Sequence, residues 1–197
     1  MTLSLPTAYP GQRIGLFGGS FNPPHDGHRH ASLMALKRLG LDQVWWLVSP
    51  QNPLKPARGT PPLATRLAQA RAIARHPRIK VTDLEARLGT RYTADTLAAL
   101  KARYPGVRFV FIIGADNLLD LPRWQRWTRI METIPLAVIA RPGYGLPALA
   151  GKPARRYAAA RRPEARARLL PGARPPAWVF LFGKLDTTSS TRLRAAR

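Results

Sequence analysis

The sequence predicts an α/β fold, a doubly wound parallel sheet with helices on both faces. Short apolar stretches alternate along the chain with segments in which apolar residues recur at helical spacing. The apolar stretches are continuous rather than alternating, as in Phe109–Ile113, which is typical of strands buried on both faces. Strands separated by helices of about ten residues require right-handed crossovers, so we expect the strands to run parallel.

The first half of the chain begins with a strand over Arg13–Phe17 and a Gly- and Pro-rich loop over Gly18–Gly27. The elements predicted next are a helix over Arg29–Leu39 that Gly40 ends, a strand over Val44–Val48, a Pro-rich loop to Pro62 and a helix over Leu63–Arg75. Each helix has apolar residues three or four positions apart on one face, and the strand VWWLV is apolar throughout.

The second half continues the alternation. The predicted elements are strands over Ile79–Val81, Val107–Ile113, Leu136–Ala140 and Trp178–Phe182, and helices over Thr93–Arg103, over Arg123–Met131 and from about Ser190. Thr93 is a candidate cap of its helix. Residues 145–177 are rich in Pro and Arg and predict a surface insertion, while residues 1–12 predict a flexible tail of a single domain spanning 1–197. Ligands in such sheets bind beyond the carboxyl ends of the strands, here after Phe17, Val48, Ile113 and Phe182.

Composition excludes several classes of protein. The 197 residues contain no cysteine, which excludes a disulfide framework and a Cys-based metal site and suits a reducing cytoplasm. The N-terminal residues have no basic region before an apolar run, and no apolar stretch is long enough to span a bilayer. The net charge of +22 invites a nucleic-acid partner, but 26 of the 32 basic residues are Arg in a chain also rich in Ala, Pro and Gly. We therefore favour a composition bias together with attraction for small anions over a nucleic-acid partner.

The first loop carries the most chemical information. Gly18 and Gly19 follow a predicted strand, which lets the backbone approach a ligand closely. His25-Asp-Gly-His28 stands at the start of a helix, where backbone N–H groups and the helix dipole favour an anion. Two imidazoles three positions apart can face one phosphate. A metal site and a purely structural role for the histidines are the alternatives.

The segment GGSFNPPHDGH at 18–28 resembles the His-x-Gly-His signature of the nucleotidyltransferase superfamily, and Thr188-Ser-Ser-Thr-Arg-Leu-Arg194 resembles its second signature. The resemblance implies a Rossmann-like nucleotidyltransferase fold. It also implies catalysis by His25, His28 and Arg194. The residues it implies for ATP binding are Gly18, Gly19, Ser20, Phe21, His25, His28, Lys55, Ser190, Thr191 and Arg194.

Three internal segments narrow the resemblance to bacterial nicotinate mononucleotide adenylyltransferases. They are Arg91-Tyr-Thr-Ala-Asp-Thr-Leu97, Phe111-Ile-Ile-Gly-Ala-Asp-Asn117 leading to Leu121-Pro-Arg-Trp124, and Ala140-Arg-Pro-Gly-Tyr144. The resemblance implies transfer of AMP from ATP, carried with Mg²⁺, to nicotinate mononucleotide. The implied acceptor contacts are Trp124 stacking on the ring, Thr93 at the carboxylate and Asp116 at a ribose. Gly89-Thr-Arg91 departs from the usual Gly-Pro-Ser, and we hypothesise that Arg91 strengthens selection of the carboxylate near Thr93. An acceptor change to nicotinamide mononucleotide or phosphopantetheine is the alternative, and Asn22 departs from the usual Asp.

Overall fold

A computed structural model describes residues 5–50 and 60–183. Seven strands form one parallel sheet in the order β3-β2-β1-β4-β5-β7-β6. The strands are β1 (Arg13–Gly19), β2 (Gln43–Val48), β3 (Ile79–Thr82), β4 (Arg108–Gly114), β5 (Leu136–Ile139), β6 (Arg161–Arg162) and β7 (Trp178–Leu181). The predicted doubly wound fold is confirmed.

Helices cover both faces of this sheet. They are α1 (Asp26–Arg38), α2 (Leu63–Ala74), α3 (Leu84–Arg87), α4 (Thr93–Arg103), α5 (Ala115–Asp120), α6 (Trp127–Thr133), α7 (Gly145–Ala150) and α8 (Lys152–Arg156). Single turns of 3₁₀ helix occupy Leu121–Arg123 and Ala158–Ala160, and a longer one occupies Glu164–Gly172. None of the helices in residues 5–50 and 60–183 is long and apolar enough to cross a bilayer.

The core consists of two buried clusters, one on each face of the sheet. Successive side chains of a strand point to opposite faces, so Trp45 packs in the cluster with α4 and Trp46 packs in the cluster with α1 and α2. Both indoles are completely buried. The strands β1, β2, β4, β5 and β7 supply buried side chains to both clusters and are therefore apolar on both faces, whereas the edge strands β3 and β6 do not.

The order in which the chain adds strands to the sheet reverses between β1 and β4. From β1 it builds outward to β2 and β3, and then returns to place β4 on the other side of β1, with Phe17 paired to Ile112. Loops at the carboxyl ends of β1 and β4 consequently diverge in opposite directions. They leave a crevice between them, which is where open α/β sheets bind ligands.

Several predicted boundaries are wrong. Helix α1 begins at Asp26, inside the predicted loop, because the backbone of His25 already forms its N-cap. The predicted helix Arg123–Met131 is broken, since Arg126 adopts a left-handed φ of 55° immediately before α6. Helix α3, with only four residues, has too short a periodic pattern to be recognised.

The segment 145–177 differs from the predicted surface insertion. It forms α7, α8 and the edge strand β6, and it contributes buried side chains to both clusters. The exposed residues of this segment include the arginines at 155, 156, 161, 162, 166, 168 and 174. Residues 5–12 differ in the same way from the predicted tail: Leu5 and Ala8 pack against the core, and the Tyr104 hydroxyl donates to the Pro6 carbonyl at 2.9 Å.

Candidate functional site

One cavity of about 370 Å³ opens at the crevice between the β1 and β4 loops. Its size falls in the range of small-ligand sites. One side is lined by residues 17–21 at the end of β1 and in the following loop, and by His25 and His28 at the start of α1. The next lining residues are Leu47 and Ser49 at the end of β2, Glu85 on α3, and Arg91, Tyr92, Thr93, Thr96 and Leu97 at the start of α4. The remaining lining residues are Phe111, Asp116, Asn117, Arg123, Trp124, Gln125 and Arg141.

The two histidines stand together at the N-terminus of α1. Their ring centroids are 3.9 Å apart, and both side chains are at least nine-tenths buried. The backbone N–H of His25 donates to Nδ1 of His28 at 3.2 Å. Because Nδ1 accepts this bond, neutral His28 carries its proton on Nε2 and can act as a donor from that atom. A helix N-terminus beside two imidazoles is a suitable place for a phosphate.

An aromatic platform supports these histidines. The Phe21 ring stacks on Trp46 with centroids 4.8 Å apart and an interplanar angle of 16°, and it lies 4.8 Å from the His28 ring. The Trp46 Nε1–H donates to Ser32 Oγ at 2.7 Å, and that hydroxyl donates to the His28 carbonyl at 2.8 Å. The sheet, the β1–α1 loop and the first turns of α1 are thereby fixed to one another around the histidines.

The opposite wall is the start of α4. Thr93 is the first helical residue and Tyr92 is the N-cap, so the prediction that Thr93 caps the helix is wrong by one position. Thr93 nevertheless lies at the helix N-terminus and lines the cavity, where the first N–H groups have no intrahelical partner. Arg91 is exposed and lines the same cavity, with its guanidinium carbon 5.7 Å from the centroid of the Tyr92 ring.

Asp116 and Trp124 complete the far end. Asp116 follows β4 on the first turn of α5 and lies 3.2 Å from Nε of Arg141. That contact is an ion pair through Asp116 Oδ1, and the carboxylate keeps further lone pairs to accept from a ligand hydroxyl. Trp124 is half-buried, edge-on to Phe111 at 6.4 Å between centroids, and lines the cavity. Trp127, which is partly buried, packs against the core.

Glu85 is a cavity residue that the sequence did not indicate. It lies on the four-residue helix α3, and its carboxyl group bonds with the Ser49 side chain at the end of β2. Burial raises the pKa of Glu85 from 4.5 to about 7, and the bond with Ser49 only partly opposes this effect. A carboxyl group that is half-protonated near neutral pH therefore faces the ligand space.

The cavity brings together every predicted site residue that the structure describes. These are Gly18, Gly19, Ser20, Phe21, His25, His28, Arg91, Thr93, Asp116 and Trp124. Lys55, Ser190, Thr191 and Arg194 lie outside the described residues. Sequence reasoning missed Ser49 and Arg141, although each follows directly on a predicted strand and that position was itself a usable signal. For Glu85 there was no comparable signal.

The sequence and fold agree with those of known proteins. A family model described as Cytidylyltransferase-like matches residues 16–196. A Cereibacter sphaeroides protein named as a probable nicotinate-nucleotide adenylyltransferase is 59% identical over 182 residues, which is 92% of this chain and 96% of the relative. A Ruegeria pomeroyi protein of the same name is 55% identical over 196 residues, covering 100% and 92% of the two chains.

Solved structures show the same fold at low identity. The Plasmodium falciparum nicotinic acid mononucleotide adenylyltransferase complexed with NaAD superposes with a TM-score of 0.71 at 18% identity, covering 93% of this chain and 83% of the other. Its complex with APC gives a TM-score of 0.69 at 17% identity with the same coverage. Taken with the family model and the close relatives, the chain belongs to the nicotinate-nucleotide adenylyltransferase family of cytidylyltransferase-like proteins.

Proposed function

We propose that this chain transfers AMP from ATP to nicotinate mononucleotide, giving deamido-NAD and pyrophosphate for NAD biosynthesis, with the cavity at the β1 and β4 loops as the active site. One observation carries the proposal. A single cavity joins the histidine pair at the N-terminus of α1 to a second helix N-terminus, at Thr93, and to the half-buried ring of Trp124. These are two anion sites and one stacking surface, which match a triphosphate, a carboxylate and a flat aromatic ring.

The histidine end is the proposed site of phosphorus chemistry. The acceptor's phosphate oxygen attacks the α-phosphorus of ATP, and the bond from that phosphorus to pyrophosphate breaks. Such transfers depend on positioning and charge stabilisation rather than on a covalent enzyme intermediate. We assign to His25 and His28 the role of donating hydrogen bonds to the phosphates, with Nε2–H of His28 as the donor that its backbone contact selects. Gly18, Gly19, Ser20 and Phe21 form the adjoining backbone wall.

The Thr93 end is the proposed acceptor site. The N-terminus of α4 attracts the nicotinate carboxylate through its dipole and unpartnered N–H groups, and Arg91 at the same rim adds a cation. Trp124 offers a ring face to the electron-poor pyridine ring. We assign to Asp116, whose Oδ1 pairs with Arg141, the role of accepting from a ribose hydroxyl through its remaining lone pairs. The proposed ATP contacts of Lys55, Ser190, Thr191 and Arg194 rest on the sequence alone.

Mg²⁺ fits this site as a companion of ATP. No group of three His, Asp or Glu side chains in residues 5–50 and 60–183 is arranged to hold a metal ion. The two acids of the cavity are engaged, Asp116 with Arg141 and Glu85 with Ser49. Such a donor set suits an ion held by ATP phosphates and water, and its contribution when bound is to neutralise charge on the phosphates. We propose the cytoplasm as the compartment, because ATP is available there.

The test is pyrophosphate release from ATP with nicotinate mononucleotide, nicotinamide mononucleotide and phosphopantetheine offered in turn. We expect release with the first, and its absence would contradict the proposed function. His25→Ala should abolish turnover while leaving the thermal unfolding midpoint close to that of the parent. Lys37→Ala, at an exposed position of the same helix, is the matched control and should keep full activity. A His25→Ala protein that still turns over would remove that histidine from the mechanism.

A further inference from the structure

Arg66 is a completely buried arginine that does not reach the cavity. It lies on α2 with 1% of its surface exposed and is not among the residues that line the site. No carboxylate of residues 5–50 and 60–183 forms an ion pair with it. A buried charge is costly unless other polar groups satisfy it, so its hydrogen-bond partners explain its presence.

Four backbone carbonyls surround the guanidinium group. Nη1 donates to the carbonyls of Ser20 at 2.8 Å and Ser49 at 2.7 Å. Nη2 donates to the carbonyl of Pro50 at 2.7 Å, and Nε donates to that of Pro61 at 3.0 Å. The flat, five-donor fork of arginine can serve several acceptors in one plane, which a lysine ammonium cannot. Arg66 therefore joins the loop after β1, the loop after β2 and the entry to α2.

The bond to Ser20 acts on a strained part of the cavity wall. Phe21, the next residue, has a φ of 45°, a left-handed conformation that is unfavourable for a side chain of this kind. Such a residue persists only where its surroundings hold it. Arg66 fixes the peptide on one side of Phe21, and the Phe21 ring is stacked on Trp46. Because C=O and N–H point in opposite directions across a trans peptide, this bond also sets the direction of the Phe21 N–H.

The bond to Ser49 acts on the opposite wall. The Ser49 N–H donates to the Gly19 carbonyl at 3.0 Å, so the two loops already touch where Arg66 bridges them. The Ser49 side chain bonds with Glu85, and both residues line the cavity. Arg66, which does not itself line the cavity, therefore holds the backbone of two loops that do line it.

We propose that Arg66 is a positioning residue for adenylyl transfer: its guanidinium fork fixes the Ser20–Phe21 and Ser49–Pro50 backbone in the geometry that binds the phosphate-bearing substrates. This proposal rests on the proposed function. Its charge, neutralised by no acid among the described residues, also adds to the positive potential felt by those anions. Misplacement of substrate by about 1 Å can cost about a hundredfold in rate, which sets the scale of the expected effect.

The experiment compares R66K, R66Q and R66A with the parent in steady-state pyrophosphate release. R71A is the control, because Arg71 is an exposed arginine on the same helix. We expect R66Q and R66A to raise the KM for ATP at least tenfold and to lower kcat/KM by about a hundredfold, and R66K to recover only part of that loss. A purely structural role would instead lower the active fraction, and therefore kcat, at unchanged KM.

A second measurement distinguishes position from bulk stability. Millimolar guanidinium chloride should lower the KM of R66A in a saturable way, while sodium chloride at equal ionic strength should not. Should R66A fail to fold, the lysine and glutamine variants decide by the same KM criterion. Unchanged KM in the folded variants, or absence of rescue in folded R66A, would overturn the role. Absence of pyrophosphate release in the parent itself would contradict the proposed function and not the role of Arg66. In that case, the ATP affinities of the parent and the variants would be measured by thermal shift. A tenfold or larger loss of affinity in the variants would support the role of Arg66, and an unchanged affinity would overturn it.

Discussion

Two glycines of β1 allow folding and ligand binding to be tested separately. A Cβ built on Gly15 would lie 2.5 Å from Ile112 Cδ1 and 2.8 Å from Leu41 Cδ1, so the ends of these two buried side chains would have to shift. Among the described residues, a Cβ built on Gly18 would come within 4 Å of Phe111 alone, at 3.6 Å, which is an ordinary van der Waals distance. Gly18 has no left-handed φ and lines the cavity. Packing inside the protein therefore requires glycine at 15 and leaves room for alanine at 18.

Gly15→Ala should destabilise the protein by about 1–3 kcal/mol, the usual cost of overpacking a core. The midpoint of thermal unfolding should fall by about 2–4 °C for each 1 kcal/mol in a domain of this size. Gly18→Ala should leave the free energy of unfolding within about 0.5 kcal/mol of the parent. If a phosphate passes close to this backbone, the added methyl group should still lower kcat/KM by about tenfold to a hundredfold, since displacement of substrate by about 1 Å can cost about a hundredfold in rate.

The assays are thermal unfolding followed by circular dichroism and pyrophosphate release at saturating and limiting ATP. The reasoning predicts a crossed pattern, in which the alanine at 15 lowers stability and the alanine at 18 lowers activity. A Gly18→Ala protein with the stability and the kcat/KM of the parent would refute the close approach of ligand to β1. A Gly18→Ala protein that unfolds readily would refute the packing argument.

Two further predictions concern the walls of the cavity. Folding raises the pKa of Glu85 to about 7, so the folded state holds a proton that the unfolded chain releases near pH 4.5. The free energy of unfolding should therefore fall by about 3 kcal/mol as the pH rises from about 4.5 to 7. Glu85→Gln should flatten that part of the pH dependence of urea unfolding, and an unchanged slope would contradict the assignment. Arg91→Ala should weaken discrimination between nicotinate and nicotinamide mononucleotides, measured as the ratio of their kcat/KM values. An unaltered ratio would contradict the role proposed for Arg91 in selecting the carboxylate.

Sequence patterns predicted the strands well, because each strand that builds both cores must be apolar throughout, as in Val44–Val48. They predicted the histidine loop because a helix start with two imidazoles has a local signature. Glu85 could not be predicted. The burial that raises its pKa is created by tertiary packing, and its hydrogen-bond partner Ser49 is 36 positions away along the chain. The four-residue helix α3 is too short to show a periodic pattern.

The prediction for the segment 145–177 differs from the structure for a related reason. Its many prolines and arginines indicated a surface insertion, but a few small and apolar side chains at irregular spacing are enough to anchor it against β7 and α5. The composition of a segment does not distinguish its buried residues from its exposed ones. Burial of Ala154 and Leu170 beside exposed arginines depends on tertiary neighbours that no local pattern records.

The stack of Phe21 on Trp46 makes the histidine end of the cavity, the proposed phosphate site, part of the hydrophobic core rather than a loop attached to it. Repacking this half of the core for heat resistance would consequently alter the alignment of the histidines, even without any substitution at a residue that touches ligand. Core residues around Trp46 would therefore be constrained by turnover as well as by folding.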